Sequence, residues 1–114
     1  MTLKEVNEMI KSIGIDYTYY QFPKDTEHEP PYICFFYTNS NDVYADQSNY
    51  QKIRGLSIEL YTAQKDFDLE DLVEEVLSSY DLTYYKEESY IDSELMWQIS
   101  YDMDIVIKED TNEQ

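Results

Sequence analysis

Apolar residues recur at helical spacing at the start of the chain. Leu3, Val6, Met9, Ile10 and Ile13 fall on one face of a helix predicted over residues 2–13. Thr2 and Glu5 form the T-x-x-E pattern of a capping box, and Met1 and Val6 have the spacing of a hydrophobic staple. Gly14 is the expected stop. The pattern then shifts to strands. Residues 15–22 are rich in Tyr and bounded by Gly14 and Pro23. Residues 31–38 are apolar on both faces, which predicts an inner strand covered by a helix on at least one side. In residues 53–62, Leu56, Ile58 and Leu60 point one way while Ser57, Glu59 and Tyr61 point the other.

A second helix follows, with Asp68 as its expected N-cap and Phe67 stapled to Leu72. Leu69, Leu72, Val73, Val76, Leu77 and Tyr80 mark its buried face, while Glu70, Asp71, Glu74 and Glu75 read as its solvent-facing side and crowd its first turns, where the helix dipole favours them. The rest reads as a hairpin of residues 82–91 and 94–108 with a turn near Asp92 and Ser93. On its second strand Leu95, Trp97, Ile99, Tyr101, Met103, Ile105 and Ile107 alternate with polar residues. The class is therefore α+β: a mainly antiparallel sheet with two helices packed on it, in the order α-β-β-β-α-β-β. Residues 1–108 form one domain with a long polar loop at 39–52, and residues 109–114 a frayed polar tail.

Charge narrows the range of partners. The 114 residues hold 25 acidic and 8 basic side chains, a formal net charge of −17. Such a surface repels phosphates of nucleic acid and membrane alike. The 13 tyrosines argue against an acidic disordered chain, because aromatic rings supply large buried area to sheets and interfaces. Cys34 is the only cysteine, so no internal disulfide is possible. Lys4, Glu5, Glu8 and Lys11 interrupt the stretch where a secretory signal would need an apolar run. A soluble, cytosolic chain is the expectation.

Candidate chemistry is sparse. His28, the only histidine, sits in a Pro/Glu-rich segment and reads as a loop residue, not a general base. Cys34 lacks a neighbouring cation to activate it and reads as a core thiol. Gly14 and Gly55 are too far apart to build a phosphate loop. Asp102 and Asp104 form a D-x-D pair, better explained as the solvated side of an alternating strand. No catalytic residue, cofactor or metal is expected, and the chain reads as a non-enzyme. Interaction remains: tyrosine-bearing sheet faces and a long polar loop suit a subunit. Tyr44, Asp46, Tyr50 and Arg54, on and beside that loop, are the candidate contact residues.

The segments MTLKEVNEMIKSIGIDYTYYQF, EPPYICFFY, YQKIRGLSIELYT and YIDSELMWQISYDMDIVI resemble small proteins encoded in tail-morphogenesis regions of phages and prophages of Gram-positive bacteria. The chain is similar to the tail completion, or tail terminator, group of long non-contractile-tailed phages. The resemblance implies an α+β protein of the virion's head–tail junction, assembled in the host cytoplasm. It implies a homo-oligomeric ring, a hexamer, that caps the tail tube and presents it to the head connector protein. DNA would then be a passing, unbound genome, with no membrane partner. No functional residue is carried over from the group. An acidic DNA mimic that inhibits a host defence enzyme is the alternative reading.

Overall fold

The computed structural model describes residues 1–23, 28–40, 43–44 and 50–108. Helix α1 spans Leu3–Lys11. Its capping box forms as expected: the Glu5 N–H donates to Thr2 Oγ1 at 3.1 Å and the Thr2 N–H to Glu5 Oε1 at 2.9 Å. Val6, Met9, Ile10 and Ile13 are buried, but Leu3 is half exposed. Gly14 adopts φ +93°, the left-handed region where a Cβ is strained. A Cβ at Gly14 would meet no atom within 4 Å, so conformation alone selects glycine. Gly14→Ala should therefore cost about 1–2 kcal/mol in urea denaturation, with the fold retained.

Strands β1 (Asp16–Tyr19), β2 (Tyr32–Ser40), β3 (Val43–Tyr44) and β4 (Tyr50–Thr62) precede helix α2 (Phe67–Ser79); β5 (Tyr85–Ile91) and β6 (Met96–Ile107) follow it. Five strands run in the order β1-β2-β4-β6-β5, and β3 pairs with the start of β4 off this path. Only β1 and β2 are parallel; the other pairings are antiparallel. The chain thus adopts the expected class and order, β3 being a two-residue addition. The stretch expected as a loop over 39–52 carries strand at its described residues, since β2 runs to Ser40 and β4 begins at Tyr50. The stretch 24–27 and the tail 109–114 lie outside the described residues.

Alternation places the core. Ile33 and Phe35 of β2, Leu56, Ile58 and Leu60 of β4, and Ile99, Tyr101, Met103 and Ile105 of β6 form one buried cluster with Val6, Met9 and Ile10 of α1 and Val73 and Leu77 of α2. Both helices therefore cover the same face. Among the described residues, no helix covers the opposite face.

The expected start of α2 and the expected placement of its faces are corrected. Its N-cap is Asp66, whose Oδ1 accepts the Leu69 N–H at 3.0 Å. The Phe67–Leu72 staple does not form: Phe67 is 68% and Leu72 39% exposed. With Asp66 as cap, the staple positions fall on Lys65 and Glu70, and an ion pair of 2.7 Å occupies them instead. The helix is rotated accordingly. Glu70, expected on the solvent side, is only 1% exposed, whereas Tyr80, expected inside, is exposed. In the hairpin the turn runs on to Leu95, which has φ 53° and is exposed.

Candidate functional site

The buried Glu70 anchors a cluster of charges between α2 and the hairpin. Lys86 of β5 lies 2.8 Å from Glu70 Oε1 and 2.8 Å from Glu74 Oε2. Lys65 joins Glu70 to Glu88 of β5. The Tyr101 hydroxyl donates to Glu74 Oε2 at 2.9 Å. Burial alone would raise the Glu70 pKa, but hydrogen bonds and charge from Lys65 and Lys86 outweigh it and hold the carboxyl below its usual range. Burial opposes the Lys86 charge too, and the two glutamates reverse that, leaving its pKa raised. Tyr101 is pushed up, first by burial and then by its bond to Glu74. Each charge is spent on a neighbour, so the cluster ties α2 to the edge strand.

The open face of the sheet is different. Paired residues share a face, so β2 contributes Tyr32, Cys34 and Phe36, β4 contributes Ser57, Glu59 and Tyr61, and β6 contributes Gln98, Ser100 and Asp102. A hollow of about 680 Å³ opens here, among Tyr20, Phe22, Tyr32, Phe36, Tyr61 and Glu59. The rings of Tyr32 and Tyr61 stack at 5.0 Å, and Tyr20 meets Phe36 edge-on at 5.9 Å. The Tyr61 hydroxyl donates to Glu59 Oε1 at 2.8 Å and accepts from Gln98 Nε2 at 3.2 Å. Burial, followed by the bond to Glu59, raises the Tyr61 pKa. Cys34 is pushed up to about 11 by burial, with Glu59 adding to the shift. Its thiol is held protonated, the opposite of an activated nucleophile.

His28 stacks on Phe22 at 3.5 Å and lies 3.7 Å from Asp16 Oδ2, at the rim of this hollow. It is half-buried against rings, where a freely solvated loop residue was expected. Among the described residues, no group of three or more His, Cys, Asp or Glu is arranged to hold a metal ion. No helix there is long and apolar enough to cross a membrane.

The candidate contact residues are partly brought together. Tyr44 and Tyr50 are direct partners across β3 and β4. Arg54 lies further along β4, opposite Ile105 of β6. Asp46 lies outside the described residues. The aromatic hollow was not located by sequence reasoning. The signal was present in the alternation of β4, where Glu59 and Tyr61 stand opposite the core positions, but the sequence does not say which face lacks a helix.

No family model matches the chain, and no curated protein matches it in sequence. A solved structure described as the virion of a native gene transfer agent particle contains a chain of similar fold. The two superpose with a TM-score of 0.56 at 12% sequence identity, over 92% of this chain and 87% of that one. At this identity the likeness speaks for the fold, across almost the whole length of both chains.

Proposed function

We propose that this protein is a virion structural protein, and within that class a tail terminator: a subunit of a hexameric ring that caps the finished tail tube and joins it to the head connector. The observation that carries the reading is the nearly end-to-end likeness to a chain of a gene transfer agent virion. The sequence resemblance to tail completion proteins supports the finer assignment. The role is non-catalytic, without cofactor, and places the protein at the head–tail junction of the virion after assembly in the host cytoplasm.

The charge suits this role. A ring that the genome crosses should not grip it, and a lumen bearing part of the −17 charge would repel phosphates and release no counterions. Tyr44, Asp46, Tyr50 and Arg54 are proposed as contacts to the tube or to the neighbouring subunit.

Deleting the gene from a phage that carries it should leave heads and tails unjoined, with tails of abnormal length, as seen by negative-stain microscopy. Intact virions of normal length would overturn the assignment. The acidic open face, with Asp16, Glu59, Glu87, Asp102 and Asp104, also favours a second reading as a DNA mimic. Tight 1:1 binding to a DNA-acting enzyme, with virion assembly intact, would select that reading instead.

A further inference from the structure

The open face is organised in rows. Register aligns Cys34, Glu59, Ser100 and Glu87 across β2, β4, β6 and β5. Glu59 and Glu87 are two strands apart, about 9.5 Å at the usual strand spacing. Rings flank this row on both sides. Tyr32 and Tyr61 share the adjacent row toward one end, and Phe36 and Tyr85 the adjacent row toward the other. Tyr85 is 82% exposed. No Lys or Arg among the described residues projects from a strand onto this face.

Among the described residues, the cations of the strands and of the segment before α2 lie on the other side of the sheet. Lys52 and Arg54 share the parity of Leu56, and Lys65 and Lys86 are taken up by Glu70. Lys4 and Lys11 are exposed on α1 with Glu8 exposed between them, where it would face Ser100 in the middle of the row, and neither lysine forms an ion pair among the described residues. They are seven residues apart, two helical turns, which separates them by about 10.5 Å along one line of the helix. That spacing matches the Glu59–Glu87 row.

We propose that the open face docks α1 of a second copy of this chain, with Lys4 and Lys11 set onto the Glu59–Glu87 row. The aliphatic stems of the lysines then lie on the flanking rings and their ammonium groups over ring faces and carboxylates. The two surfaces lie on opposite sides of one sheet, so the contact is head-to-tail. Such a contact propagates from copy to copy and closes into a ring if each step turns. It is the subunit junction of the ring proposed above and rests on that reading.

The test is sedimentation of the purified chain at low salt, where charge pairs are least screened. The wild type should assemble. Lys4→Glu with Lys11→Glu, and separately Glu59→Lys with Glu87→Lys, should each raise the self-association Kd by about tenfold or more. Combining all four substitutions in one chain should restore assembly, because both surfaces are then reversed together. Circular dichroism checks each fold, and Glu87→Lys alone, on the exposed edge strand, serves if Glu59→Lys does not fold. Reversed chains that assemble like the wild type would overturn this contact and leave the ring standing. So would loss of assembly without rescue in the four-site variant. A wild type that stays monomeric to its solubility limit would overturn both contact and self-assembled ring, while the gene-deletion test still decides the head–tail role.

Discussion

Replacing Glu70 with Ala is expected to destabilise the protein by about 3–5 kcal/mol, among the largest effects any single substitution should have here. The carboxylate is 1% exposed and meets Lys65 at 2.7 Å and Lys86 at 2.8 Å. Removing it leaves two ammonium groups facing each other in a partly desolvated site. Lys65 keeps Glu88 and Lys86 keeps Glu74, which moves the expected loss toward the lower end of that range. A domain of this size has about 5–15 kcal/mol in total, so urea denaturation should register the change plainly. A loss below about 1 kcal/mol would mean that the cluster behaves as exposed surface pairs do.

The same carboxylate fixes the sign of a pH effect. Its pKa is lowered by folding, so the unfolded chain binds more protons in the acid range. The stabilisation is present above the ordinary carboxylate pKa of about 4.3 and is lost as pH falls through the lower folded value. An opposing effect runs through the same window, because protonation also relieves repulsion among 25 acidic side chains. The raw acid profile therefore mixes both, and the difference between the wild type and Glu70→Gln isolates the cluster. That difference should shrink steadily below about pH 4.3; a gap that stays constant to pH 2 would contradict a lowered Glu70 pKa.

Glu70 also marks the limit of what the sequence discloses. Helix α1 was legible to its cap and stop, because Thr2, Glu5 and Gly14 act on their own neighbourhood. The inward positions of β4 and β6 were legible for the same reason, since strand alternation is a local pattern. The start of α2 was not. Asp66 and Asp68 are both good caps, and the apolar pair Phe67 and Leu72 favoured the second. What selects Asp66 is the use of Glu70 by Lys86 and the placing of Glu74 against Tyr101, groups 16 and 27 residues away in sequence. A partner on another strand leaves no local trace. The parallel pairing of β1 with β2 was hidden similarly: Tyr-rich alternation announces a strand without naming its neighbour. The tyrosines of β2, β4 and β6 were readable as sheet residues, but the face without helices among the described residues became known only once both helices were seen on the other one.

Tyr101→Ala should be the second large loss, about 3–5 kcal/mol. Tyr101 is the largest fully buried side chain described and belongs to the core cluster between the sheet and the helices. Its ring meets Tyr84 edge-on at 5.2 Å, and Lys86 Nζ lies 6.0 Å from its centroid. Truncation opens a cavity that backbone shifts fill only in part. Tyr101→Phe separates the ring from the hydroxyl. It keeps the volume and removes one hydrogen bond to Glu74, which still has Lys86, so it should cost only about 1–2 kcal/mol. A Phe variant as damaged as the Ala variant would show that the hydroxyl, not the packed ring, holds β6 to α2. Coupling follows from the shared oxygen: Tyr101 and Lys86 both contact Glu74 Oε2. Once Glu74→Gln has removed the charge, Tyr101→Phe should cost measurably less than in the wild type, a non-additivity of about 0.5–1 kcal/mol in a double-mutant cycle. Strict additivity would instead make the core ring and the ionic cluster independent, and Tyr101 would then serve β6 alone.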